Sequence, residues 1–326
     1  MPRRRCGAAG RGVWACLVLT VGCAGCATFR GDEGQPLVPS RYQQRTGPFA
    51  IFTGAPIAPD APPVRNLSAL EHALTATLGL KVASDDAPVE VYILRDRETF
   101  NHFLTFYFPE LPPRRAFFIA QGTRRVVYTY QNDRLDEDLR HEATHALLHL
   151  AVGDLPLWLD EGLAEYFEGP DGRHGRNPEH IARLPDDLKA GWRPDLARLE
   201  TLKNVREMTP RDYREAWAWV HCLLNEPGPG QADLLGYLAD LRESPGQAVK
   251  LSERLARTDR TAAQRLLSHI ERLRTDPAPA PVATTPPKEP TILLQNSPIE
   301  AASHPAPRRS FFKSVLGFFG LGGGAS

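Results

Sequence analysis

His141-Glu142-Ala143-Thr144-His145 opens a stretch whose second part reads Leu155-Pro156-Leu157-Trp158-Leu159-Asp160-Glu161-Gly162-Leu163-Ala164-Glu165-Tyr166-Phe167-Glu168. The first five residues carry the H-E-x-x-H pattern inside an apolar run of helical spacing. Helix positions i and i+4 lie on one face, one turn apart. Two imidazoles so placed can grip one Zn²⁺, with Glu142 directed at the open side as a general base. In the second part, Pro156 suits a first helical turn. Leu159, Leu163 and Phe167 fall at helical spacing and mark a core face. Asp160, Glu161 and Glu165 lie elsewhere on that helix. A catalytic zinc takes three protein ligands and a water, and His₂Glu is one of its standard sets, so Glu161 is the candidate third ligand. Glu165, one turn further, is placed to accept an N–H from one zinc histidine, and Asp160 from the other.

His149 extends the histidine stripe to i+8, but it stands about 12 Å from His141 along the axis, too far for one ion. Pairing His145 with His149 would misplace Glu142. His149 is therefore expected to be satisfied by neighbouring polar groups.

H-E-x-x-H followed by W-L-x-E-G-L-A-E-Y-F resembles the gluzincin metallopeptidases, in particular the short peptidase-MA-like domains, many of them bacterial proteins without an assigned substrate. The resemblance is closest over residues 136–168 and looser over 46–275. It implies His141, His145 and Glu161 as zinc ligands, Glu142 as catalytic base, and a zincin-like bilobal α+β domain. That domain would have a small mixed β-sheet with helices in its upper part, a helical C-terminal subdomain, and zinc in the cleft between. Two departures narrow it. The interval from His145 to Glu161 is shorter than in the large aminopeptidases of the clan, and no G-A-M-E-N-like exopeptidase motif precedes the helix. Endopeptidase action is the remaining default. The metzincin arrangement fails, because Leu148 and Ala151 stand where a glycine and a further histidine are needed.

The chemistry expected of such a site follows from charge. Zn²⁺ lowers the pKa of a water towards about 7. Glu142 takes the proton, hydroxide attacks a polarised carbonyl, and Glu142 passes the proton to the leaving amine. The oxyanion needs a further donor. Residues 211–225 are predicted helical and place Tyr213, Trp217 and His221 on one face. By resemblance, Tyr213 and His221 are the candidate donors; an aromatic core stripe is the alternative. Upstream, residues 116–130 form two β-rich runs around Gln121-Gly122-Thr123, a predicted hairpin. By analogy with gluzincins, an edge strand there would pair with substrate backbone.

The remaining elements are predicted as strands at Phe49 to Thr53 and Val89 to Leu94, and helices at Leu67 to Leu78, Thr99 to Phe106, Leu234 to Leu241 and Ala262 to Leu273. About 230 residues, 47–275, suffice for one such domain. Residues 1–26 read as a signal segment: Arg3, Arg4 and Arg5, an apolar run from Val13 to Val21 too short to span a bilayer, then Gly22-Cys23-Ala24-Gly25-Cys26. The small residues before Cys26 or Cys23 resemble the lipobox of bacterial lipoproteins, which implies an exported protein anchored by lipid. Residues 27–46 form a polar linker. Residues 276–308, rich in Pro, Ala, Thr and Ser, read as disordered. Residues 309–326 carry Phe311, Phe312, Phe318 and Phe319 beside Arg308, Arg309 and Lys313, a second candidate membrane contact or equally a segment that docks on a partner or on the domain.

Only Cys222 lies outside the signal region, so no intramolecular disulfide is expected. The formal net charge is zero with no basic stripe, which argues against nucleic acid as a partner. The leading expectation is a peptidase acting on a peptide or protein substrate. A zinc hydrolase of a non-protein amide, such as a cell-wall component, and a non-catalytic binding lipoprotein are the alternatives. The intact Glu142 disfavours the last, since a scaffold needs ligands but no base.

Overall fold

The computed structural model describes residues 38–82, 87–109 and 111–276. The signal segment, most of the 27–46 linker, the Pro/Ala-rich stretch and the apolar tail lie outside these residues. Two hairpins and two crossovers build the first half. Strands β1 (Tyr42–Thr46) and β2 (Phe49–Thr53) pair antiparallel, and helix α1 (Pro62–Leu78) crosses over to β3 (Val89–Leu94), parallel to β2. Helix α2 (Arg97–Tyr107) and strand β4 (Ala116–Gln121) precede β5 (Arg124–Tyr130), which lies parallel to β3 and antiparallel to β4. The sheet order is β1-β2-β3-β5-β4, mixed and five-stranded, with β4 at one edge.

β2 and β3 are near-continuous apolar runs because both faces of the sheet are covered. Phe49, Ile51, Val91, Ile93, Phe118 and Val127 join the core that includes α1 and helix α3 (Leu135–Ala151). The alternate positions, among them Phe52, Tyr92, Phe117 and Tyr128, pack with Phe100 and Phe103 of α2. Gly122 adopts φ +58° in the two-residue turn between β4 and β5, a backbone region that such a turn requires and glycine enters freely.

The second half is helical: α4 (Leu157–Phe167), α5 (Pro178–Lys189), α6 (Leu196–Leu199), α7 (Pro210–Asn225), α8 (Gly230–Glu243), α9 (Leu251–Thr258) and α10 (Ala262–Thr275). One apolar cluster runs from the α1 and α3 face of the sheet through Trp158, Leu159 and Leu163 of α4 and Trp217 and Val220 of α7 to Leu266 and Ile270 of α10. The protein is thus α+β, as the sequence indicates. No helix among the described residues is long and apolar enough to cross a membrane.

Three elements of the N-terminal half differ from the sequence expectation. Tyr42–Thr46, assigned there to the linker, forms β1 instead. Its polar Gln43, Gln44 and Arg45 carry no strand signature. Backbone pairing with the wholly buried β2 holds them in place. Helix α1 starts at Pro62 rather than Leu67, because two prolines fit its first turn, where no N–H is needed. Helix α2 starts at Arg97, capped by Asp96, whose carboxylate accepts the Thr99 N–H at 2.8 Å.

Candidate metal centre

Three acidic residues, Asp136, Glu137 and Asp138, occupy the first turn of α3, where the helix dipole favours negative charge. The buried Arg140 ties this helix to the end of α4 by donating from Nε to the Phe167 carbonyl at 2.7 Å. These anchors fix His141, Glu142 and His145 over α4. His141 Nε2 lies 3.3 Å from His145 Nε2, and Glu161 Oε2 lies 3.8 Å and 3.9 Å from the two nitrogens. The three atoms form a group that could hold a metal ion.

The electrostatics of the site also favour a cation. Burial acts to lower the pKa of His145, but the Asp160 carboxylate 2.9 Å from its Nδ1, together with Glu161, raises it to about 9. Burial likewise opposes protonation of His141, yet the hydrogen bond to Glu168 and the charges of Glu142, Glu165 and Glu161 hold its pKa well above the ordinary value. Burial pushes Glu161 up, with the two histidines pulling it down. Without a cation, the histidines supply the positive charge that this ring of carboxylates demands. A divalent ion can take that part in their place.

Asp160 stands where the sequence put it, beside His145 Nδ1. Glu165 does not. Its Oε2 accepts from His180 Nε2 at 3.0 Å and from Asn177 Nδ2 at 3.2 Å, both at the start of α5. The partner of His141 Nδ1 is Glu168, whose Oε2 lies 3.2 Å away. The extra three residues carry the carboxylate past the end of α4, to where the His141 ring edge emerges. Sequence reasoning missed Glu168, Asn177 and His180. The clue was faint: Asn177-Pro178 is a helix-start pattern, and it says nothing about which side chain the asparagine amide will meet.

Tyr213 and Glu142 line one cleft of about 1120 Å³, together with His141, Glu165, His180 and Arg114. Glu142 has no hydrogen-bond or ion-pair partner among the described residues, so its carboxylate is available to a water or substrate. Burial and the negative charges of Glu161, Glu165 and Glu142 raise the Tyr213 pKa, while Arg114 opposes them, and the phenol therefore keeps its proton at neutral pH. His221 is elsewhere. It is buried beside Tyr166 and Trp217, with Nδ1 2.8 Å from His269 Nε2, and burial, His269 and Arg176 push its pKa down to about 3. The structure does not bring His221 to that cleft: two helical turns past Tyr213, it faces His269 of α10. Trp217, between them, is core, and its Nε1 donates to the Gly175 carbonyl at 2.8 Å.

Residues 137–243 are similar to the family described as Protein of unknown function (DUF1570). No curated protein matches the chain. The matched stretch runs from the first turn of α3 to the end of α8, so it contains the whole His141, His145 and Glu161 group together with Tyr213, and it omits the sheet.

His149 is half-buried beside Arg125, whose Nε lies 3.3 Å from its Nδ1, and it takes no part in the metal group. Cys222 is buried and free, and burial with the nearby Glu226 raises its thiol pKa to about 12, which makes it inert.

Proposed function

We propose that this protein is a zinc-dependent metallopeptidase of the gluzincin type, which cleaves internal peptide bonds of a protein substrate. The observation that carries the reading is the spacing of the three donor atoms. Zinc bonds of about 2.0–2.1 Å at tetrahedral angles require ligand atoms roughly 3.3–3.4 Å apart. The separations of 3.3, 3.8 and 3.9 Å need only a small inward movement of Glu161. Two neutral imidazoles with one carboxylate form a borderline-soft set suited to zinc rather than to magnesium or calcium. The carboxylates behind the histidines supply the orienting partners that such ligands need.

Zinc held by these atoms would act as a Lewis acid towards a carbonyl and make a water acidic at neutral pH. The chain's own residues do the rest. Glu142, unpartnered and one residue from a ligand, accepts the proton of the attacking water and returns it to the leaving nitrogen. The Tyr213 hydroxyl, held protonated, donates to the oxygen on which negative charge develops. The cleft has room for several residues of an extended chain. Strand β4, at the sheet edge next to α3, offers unpaired backbone groups to such a chain. The signal-like segment at residues 1–26 supports action outside the cytoplasm by a lipid-anchored protein.

The test is Glu142→Gln. The variant is expected to retain about one zinc per chain by elemental analysis while losing hydrolysis of an unfolded protein. Undiminished hydrolysis would exclude the mechanism. A wild type prepared without chelators that contains no zinc would exclude the metal assignment.

A further inference from the structure

The carboxylate behind His141 is held by one side chain, Asn177. Its Nδ2 donates to Glu168 Oε1 at 2.8 Å and to Glu165 Oε2 at 3.2 Å. Its Oδ1 accepts the backbone N–H groups of Glu179 and His180, both at 3.1 Å, and so caps α5. An asparagine amide has two N–H donors and two acceptor sites, and here all four are used. The assignment of oxygen and nitrogen needs no guess, because backbone N–H groups only donate and demand the oxygen on their side. Asn177 is buried, so a wrong partner would leave a polar atom without water.

We infer that Asn177 is a positioning residue for the metal site: its amide holds Glu168 on His141 Nδ1 and thereby points His141 Nε2 at the group it forms with His145 and Glu161. The inference rests on the reading of His141 as a metal ligand. The chain of contacts runs His141 Nδ1, Glu168 Oε2, Glu168 Oε1, Asn177 Nδ2, with Glu165 and His180 bracing the second N–H of the amide. Burial and the nearby Glu165 charge raise the Glu168 pKa, and the Asn177 N–H groups favour both residues as carboxylates, the form in which Glu168 accepts from His141. Glutamine is one methylene too long to cap the helix and bridge both carboxylates from the same place. Aspartate caps well but presents an oxygen where the N–H must be. The start of α5 and the metal ligand on α3 are therefore linked through one side chain, although 36 positions separate His141 from Asn177 in the sequence.

Two roles are entangled in Asn177, and Asn177→Ser separates them. Serine is as good an N-cap as asparagine but cannot reach either carboxylate. Zinc dissociation constants are measured by competition with a chromophoric chelator on the full chain, and melting temperatures on the metal-free protein. Asn177→Ser is expected to keep α5 capped, to melt somewhat below the metal-free wild type because two buried carboxylates lose their donor, and to bind zinc about ten- to a hundredfold more weakly. Asn177→Asp, with an oxygen in place of the N–H, is expected to weaken zinc at least as much. Because Asn177 acts through Glu168, adding Asn177→Ser to Glu168→Ala should cost little beyond Glu168→Ala alone. Wild-type zinc affinity in Asn177→Ser, or full additivity with Glu168→Ala, would reduce Asn177 to a helix cap and overturn the inference. A wild type without measurable zinc affinity would instead remove the metal reading, and the inference with it.

Discussion

Tyr213 and His221 sit two turns apart on one helix, and what each one faces separates their chemistry. Tyr213 opens on the cleft among Glu142, Glu165 and His141. Burial and the neighbouring carboxylates raise its pKa and keep its hydroxyl a donor. Tyr213→Phe removes that donor and little volume. It is expected to lower kcat by about 10²–10³, in the range measured for loss of one oxyanion donor, with zinc content and KM close to wild type. His221→Gln, lying away from the cleft, is expected to leave kcat per folded molecule within about twofold. Steady-state kinetics on both variants decide the matter, and equal losses would remove Tyr213 from the mechanism. The sequence was informative here only in part. Helical periodicity places Tyr213, Trp217 and His221 on one face, but a face four residues wide can begin in a cleft and end in a core. Glu165 and Glu168 repeat the lesson: spacing put a carboxylate near His141, and the three-residue difference was decided by where α4 stops.

At the scale of elements, the site depends on how closely α4 and α7 approach. Gly162, next to Glu161, lies at their crossing. A Cβ built there would stand 2.8 Å from the Ala216 carbonyl oxygen, 2.9 Å from its carbon and 3.0 Å from Val220 Cγ2. Only a residue without a side chain permits this contact, and Ala216 and Val220 are themselves wholly buried. The approach brings α7, and Tyr213 one turn before Ala216, against the helix that carries Glu161. In an exposed helix, Gly→Ala would add up to about 1 kcal/mol of stability. Here the neighbour that must move is backbone, and overpacking of this kind costs about 1–3 kcal/mol. Gly162→Ala is therefore expected to lower stability in urea unfolding and to weaken zinc binding as Glu161 shifts with α4. A variant as stable as wild type would show that the helices can part freely. Gly162 carries no chemistry, and its role is legible only from the packing of α7 against α4, since close approach between distant segments leaves no local pattern.

For the whole molecule, the sequence identified the α+β class and most strands and helices, because both depend on periodicities that local burial enforces. It missed β1, which is held by pairing alone, and the buried polar contacts that join α10 to α7. Those contacts bear on stability in acid. His221 and His269 sit against each other in the core, and burial lowers the pKa of both, His221 to about 3. In the unfolded chain a histidine titrates near about 6.5. A folded pKa below the unfolded one means that the group's contribution is complete above about pH 6.5 and is lost as pH falls towards 3. His141 and His145, with raised pKa values, behave oppositely: in the metal-free protein their contribution is present below about pH 6.5 and lost as pH rises through about 9 for His145. Glu161 and Glu168, pushed up by burial, gain as they protonate in mild acid and oppose His221 there. Comparing wild type with His221→Gln cancels these distant groups and leaves the contacting pair of His221 and His269. Between pH 6.5 and 5 the stability advantage of wild type over His221→Gln is expected to shrink by about 1.4 kcal/mol per pH unit, the value for one proton, so by roughly 2 kcal/mol across the window. Urea unfolding of both proteins in chelator, at several pH values, measures this directly. A difference independent of pH would mean that His221 is already protonated in the fold, paired as a cation through His269 to Glu226, whose Oε1 meets His269 Nδ1.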